Sequence, residues 1–189
     1  MTIAIHTSKN LSLDEFLALP ETKPASEYIN GKVYQKPMPQ GKHSTLQFEL
    51  SSAINRVGKP EKLVYAFPEL RCTFGGRSIV PDIAVFEWKC IPLDEEGEIA
   101  NRIEIDPDWT IEILSPDQNP TRVIDNILFC LDRQTKLGWF LDPQERSIIT
   151  FRPQQQPVVK RADDRLPVLD VLQDWQVCVN DVFAWLSFT

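Results

Sequence analysis

The sequence predicts a single α/β domain, and three observations lead there. Segments with apolar residues at helical spacing alternate along the chain with short β-branched and aromatic runs. Over 189 residues, 42% hydrophobic and 25% charged is the balance of a chain that can bury one substantial core. Two of the runs, residues 80–86 and 109–114, read as buried strands, yet each carries one acid, Asp82 and Glu112. A buried carboxylate without a partner costs several kcal/mol, so it calls for a cation, a metal ion or a shifted pKa. Two such acids on neighbouring strands could share one divalent cation. The structural alternative is that Asp82 caps a strand after Pro81 and that Glu112 pairs with an arginine such as Arg71, Arg77 or Arg122.

Each element follows from its own signal. Ser12 with Glu15 three residues on forms a capping box for a short helix through Leu19, ended by Pro20. Asn30-Gly31 between residues 27–29 and 32–34 predicts a tight hairpin. After a proline-rich loop, Leu46, Leu50, Ala53, Ile54 and Val57 give an amphipathic helix over 43–57, with His43 and Gln47 on its core-facing side. A strand over 63–74 with Glu69 in its middle, a Gly75-Gly76 turn and a strand over 78–88 follow. An acidic loop leads to the strand over 109–115. Asn119-Pro120 caps a strongly apolar helix to about residue 133. Residues 138–141 and 146–152 read as strands, residues 154–156 as a turn, and Asn180-Asp181 as the cap of a final helix. No internal repeat or Gly/Ser-rich linker divides the chain, so residues 1–189 are expected to be one domain.

The formal charge of −7 argues against broad, tight nucleic-acid binding. Its distribution is uneven: no acid lies between Glu27 and Glu49, where Lys32, Lys36, Lys42 and His43 fall, while acids concentrate at 94–98 and 163–164. No run of about 18 apolar residues predicts a membrane span, and the first six residues lack a secretory signal, so a cytoplasmic protein is expected. Cys72, Cys90, Cys130 and Cys178 are too scattered for a zinc motif and read as reduced, buried thiols.

The order helix, three strands, helix, strand, with Pro81-Asp82 on the second core strand and Glu112 on the third, resembles the PD-(D/E)XK nuclease superfamily. Residues 27–31, the helix starting at His43, residues 80–85, 111–116 and 139–143 together resemble a large bacterial family of putative restriction endonucleases. The resemblance covers about residues 10–188. It implies a restriction-endonuclease-like core over 43–142, a central mixed β-sheet flanked by helices with an N-terminal hairpin, and Mg²⁺- or Mn²⁺-dependent hydrolysis of DNA. In that chemistry carboxylates hold the metal, which polarises a phosphate oxygen and acidifies a water, with a lysine nearby. Asp82 and Glu112 match the family's acids, and Glu69 or Glu27 is a candidate third ligand.

The lysine departs from the pattern, because the position two after Glu112 is Leu114. Related proteins place it on the following helix, where counting back from residues 139–143 gives Asn126, with Arg122 one turn earlier. Arginine stabilises phosphate charge but is no general base near neutral pH. Lys42 and His43, at a helix N-terminus that favours anions, are the rival phosphate binders. The alternative function is a catalytically reduced nuclease fold that binds nucleic acid or a partner protein. A homodimer is the assembly that the resemblance implies.

Overall fold

The computed structural model describes residues 11–116 and 118–189; the expectation for the first six residues falls outside them. The predicted capping box forms, with the Ser12 hydroxyl accepting the Glu15 N–H at 3.1 Å and the Glu15 carboxylate accepting the Ser12 N–H at 2.8 Å. The helix it starts, α1, is shorter than predicted, Leu13–Leu17. Strands β1 (Ser26–Ile29) and β2 (Lys32–Gln35) pair around Asn30 and Gly31, whose φ of 51° and 82° are those of a left-handed two-residue turn. Helix α2 (Gly41–Gly58) then runs for 18 residues.

The next stretch corrects the sequence reading. Instead of two long strands there are four: β3 (Val64–Pro68), β4 (Cys72–Phe74), β5 (Arg77–Ile79) and β6 (Ile83–Glu87). Proline explains both breaks, since it cannot donate to a ladder. Pro68 ends β3 and the chain turns at Glu69, where φ is 49°. Pro81 lies between β5 and β6. β3 and β6 still pair directly, Pro68 opposite Ile83, so residues 69–82 leave one sheet and return to it. That excursion, β4 and β5, joins the N-terminal hairpin in a four-stranded sheet ordered β2-β1-β5-β4.

The main sheet adds β7 (Trp109–Ile113), β8 (Leu137–Asp142), β9 (Ser147–Phe151) and β10 (Val158–Arg161), in the order β10-β9-β8-β7-β6-β3. Only β7 and β8 are parallel, joined through α3 (Pro120–Leu131), so the sheet is mixed. β10 carried no sequence signal: its side chains are largely exposed, so it lacks the alternation that marks a half-buried strand. The last helix, α4 (Val179–Ala184), is capped by Cys178, whose N–H bonds the Asp181 carboxylate at 2.8 Å, not by Asn180-Asp181.

One face of the main sheet packs on α2 and α4: Leu46, Leu50 and Ile54 meet Ile83, Val85, Trp109, Ile111, Ile113 and Val182. The other face carries Ala84 and Phe86 against Phe129 and Cys130 of α3. By strand alternation Glu112 belongs to this second face, beneath the hairpin sheet and α3. Cys72 and Cys130 are buried as expected, and burial pushes the Cys72 thiol up to about 12; Cys90 and Cys178 are only half-buried, and all four are free. Among the described residues no helix is long and apolar enough to cross a membrane.

α3 lies close on β8 because position 138 is glycine: a Cβ there would collide with the Ile127 Cγ2. Gly138→Val is expected to lift α3 and to cost about 1–3 kcal/mol, read as a lower urea midpoint with an unchanged slope. An unaltered midpoint would show that α3 has room to shift.

Candidate functional site

The corner made by Pro81 brings Asp82 to the junction of the two sheets. Extending the β6–β7 register by one step from Ile83 opposite Ile111 would set Asp82 opposite Glu112. Instead of continuing the ladder, Asp82 accepts the Ile113 N–H on Oδ2 at 2.7 Å. Its backbone carbonyl accepts the Gln47 amide at 2.8 Å and the Glu69 N–H at 3.1 Å, fixing the corner from α2 and from the end of β3. Asp82 and Glu112 are both about 2% exposed.

The hairpin supplies the rest. Glu27 on β1 is buried; its Oε1 accepts the Val80 N–H at 2.8 Å and its Oε2 accepts the Asn126 amide at 3.2 Å. Lys36, just past β2, reaches in between the acids. Its Nζ donates to Asp82 Oδ1 at 2.6 Å and to the Val80 carbonyl at 2.7 Å, and lies 3.7 Å from Glu112 Oε2. Glu112 Oε1 is buried with no hydrogen-bond partner. Thus both strand acids face one ammonium, Asp82 within hydrogen-bond distance of it and Glu112 farther off.

The predicted residues fare differently. His43 on α2 joins the cluster, its Nδ1 3.2 Å from Ser115 Oγ and its Nε2 3.3 Å from Asp82 Oδ1, where the geometry makes no hydrogen bond. Lys42 is exposed; with His43, Ser115 and Asp142 it lines a cleft of about 420 Å³ at the N-terminus of α2. Asn126 enters the site but on Glu27, and Arg122 stacks its guanidinium 4.2 Å over the Tyr34 ring. Glu69 is exposed at the turn after β3, and the structure does not bring it to the acids. Arg71 pairs with Glu21 and Arg77 with Asp125, so the arginine pairing weighed for the buried acids does not form; Lys36 takes that place.

Lys36 is the residue that sequence reasoning missed. A signal existed: in the hairpin register Glu27 faces Tyr34, so Glu27, Tyr34 and Lys36 share one side of the ribbon. The charge balance shows in the protonation of the group. Burial would lower the Lys36 pKa, but Asp82, Glu112 and Glu27 outweigh it and hold the ammonium charged. Burial would raise Asp82, but Lys36 and then His43 keep its carboxyl well below the usual range. Glu112 is left with the cost: burial drives it well above its ordinary value, with Asp82 and Glu27 adding to the rise and Lys36 only partly opposing it.

These shifts act in opposite senses on stability. Asp82 is lowered from 3.8, so its contribution is present above that value and is lost as pH falls. Glu112 is raised from 4.5, so the folded protein binds the extra proton and loses stability as pH rises from 4.5 through the raised pKa. In EDTA, the melting temperature is expected to decline toward neutral pH, and Glu112→Gln to remove that decline. Melts across pH that match in the two proteins would refute the assignment.

A second acidic group lies at the opposite end of β6 and β7. Ligand atoms of Glu87, Cys90 and Asp108 come within 4.8 Å of one another. Lys136 bridges it, 2.6 Å from Glu87 Oε1 and 2.8 Å from Asp108 Oδ1, and Lys89 lies 3.0 Å from Glu87 Oε2. Glu87 and Asp108 are buried, and with their carboxylate oxygens engaged by these lysines and by the Glu87 N–H the group forms an ion-pair network.

The family model Uma2, described as putative restriction endonuclease, matches residues 13–181. The crystal structure of a putative nuclease belonging to DUF820 from Anabaena variabilis ATCC 29413 superposes with a TM-score of 0.92 at 55% identity, over 94% of this chain and 99% of that one. No curated protein matches the chain. The mixed sheet with its flanking helices is therefore a restriction-endonuclease-like fold.

Proposed function

This chain belongs to the Uma2 family of putative restriction endonucleases, and we propose that it hydrolyses DNA phosphodiester bonds with a divalent cation, Mg²⁺ or Mn²⁺, held by Asp82 and Glu112. The observation that carries this reading is the charge of the centre. Glu27, Asp82 and Glu112 are buried around a single ammonium. Fully ionised, they leave two negative charges uncompensated, and a divalent cation is the partner that removes that deficit. The donors also fit: all are oxygens, as a hard cation needs, and Glu112 Oε1 has no other partner. When bound, such an ion polarises a phosphate oxygen and lowers the pKa of a water.

The protein groups divide the remaining work. The Ile113 N–H orients Asp82, and Glu27 with Asn126 braces the Val80 side of the corner. The N-terminus of α2, free of acids in its first turn, together with Lys42 and His43, offers the cleft a place for the phosphate backbone. With a net charge of −7, DNA is held there locally and not by the whole surface. We take residues 1–189 as one catalytic domain with its core at 43–142, acting in the cytoplasm. A homodimer is the natural assembly, since cutting both strands of a duplex calls for two centres.

Incubation with supercoiled plasmid tests this. Nicking or linearisation with MgCl₂ or MnCl₂, abolished by EDTA, is the expected result. Asn126, which denies the third helix an amine, favours the second reading, a nuclease fold that binds without cutting. DNA binding with no cleavage under any divalent metal would establish that reading instead.

A further inference from the structure

We propose that Lys36 is the resident cation of the acid centre, seated at the point that the metal must share, so that it tunes metal affinity and supplies from the hairpin the positive charge that α3 lacks at position 126. The inference rests on the reading of this site as a metal-dependent nuclease. Lys36 Nζ holds Asp82 Oδ1 at 2.6 Å and the Val80 carbonyl at 2.7 Å, and stands 3.7 Å from Glu112 Oε2. The lone pairs that would bind the metal are thus already partly engaged by an ammonium. The seat is built for it: the side chain is only 10% exposed, and the Lys36 N–H is tied to the Ala25 carbonyl at 2.9 Å.

An ammonium is compact, and this one stands between the carboxylates of Asp82 and Glu112. It acts in two ways. In the metal-free protein it keeps Asp82 and Glu112 converged despite their repulsion. With a metal present, it competes for Asp82, and its charge remains within the centre to oppose the negative charge that builds on the phosphate. Lys36 is therefore a positioning residue for the acids. Asn126 approaches the same cluster from the other side, its amide 3.2 Å from Glu27 Oε2 and its Oδ1 without a partner. A lysine introduced there would face the same acids.

Three full-length proteins test this: the native chain, Lys36→Met, and Lys36→Met combined with Asn126→Lys. Calorimetric titration with MnCl₂ reads metal affinity without DNA, and plasmid cleavage reads activity. Losing a competing cation is expected to tighten Mn²⁺ binding at least about tenfold, whereas a lysine that merely holds the fold would leave binding unchanged or weaker. Cleavage by Lys36→Met is expected to fall at least about 100-fold and to recover in the double variant. Unchanged or weaker Mn²⁺ binding by a folded Lys36→Met, or undiminished cleavage, overturns the inference while leaving the nuclease reading intact. A native protein that neither binds Mn²⁺ nor cleaves overturns the nuclease reading, and this inference with it. Should Lys36→Met fail to fold, Lys36→Gln keeps a donor toward Val80 and Asp82 without the charge, and the same outcomes apply.

Discussion

Asp82→Asn is expected to reduce Mg²⁺-dependent plasmid cleavage by about 1,000-fold or more, the scale of several kcal/mol of lost transition-state stabilisation. Asp82 is the acid with the most partners: the Lys36 ammonium on one oxygen, the Ile113 N–H on the other, and His43 beside the first. An asparagine keeps the shape but has a single acceptor oxygen. Its amide nitrogen must face either Lys36 or the Ile113 N–H, so a donor meets a donor. The metal-free protein is therefore expected to lose about 3 kcal/mol as well, since one partner of a buried ion pair is removed and the other stays. Plasmid nicking and urea unfolding in EDTA measure the two effects separately. Full cleavage by Asp82→Asn would place the reacting centre elsewhere. The sequence alone suggests the opposite for stability, that deleting Asp82 relieves repulsion among clustered acids. That argument lacked the ammonium between them.

What was legible in the sequence is what local pattern controls. The Ser12 capping box, the Asn30-Gly31 hairpin, the α2 periodicity and the Asn119-Pro120 start of α3 are each set by residues within a turn or two of one another, and all four form. Asp82 and Glu112 were legible for a related reason: an acid inside an apolar strand is anomalous without reference to any other residue. Taking residues 63–74 as one strand misplaces Glu69, because Pro68 marks the break. The same oversight at Pro81 hid the excursion that carries β5 alongside β1 and so brings the hairpin to the acids. Lys36 depends on that excursion. It lies 46 residues from Asp82, and the partnership exists only once two sheets meet at the corner. A lysine on α3 would follow Glu112 in the chain, whereas the structure delivers one from before it.

Glu112→Gln separates the two acids, and its expected effect on metal-free stability is opposite in sign to that of Asp82→Asn. Lys36 lies at hydrogen-bond distance from Asp82 but 3.7 Å from Glu112, so Glu112 gains attraction without a bond, and its Oε1 gains nothing. Burial and the neighbouring acids then make its charge a net cost, which is why its pKa rises. A neutral glutamine of the same shape removes that cost, and the metal-free protein is expected to become more stable near neutral pH. The metal response should vanish in the same variant. A cation at about 100 times its Kd stabilises the native chain by about 2.7 kcal/mol, and deleting one of its two strand carboxylates is expected to weaken binding by about 100-fold or more, erasing most of the rise in Tm. Melting curves of both proteins in EDTA and in MgCl₂ give all four values. A loss of metal-free stability in Glu112→Gln as large as that in Asp82→Asn would mean that Lys36 serves both acids equally, and the charge deficit that invites the metal would then not reside on Glu112.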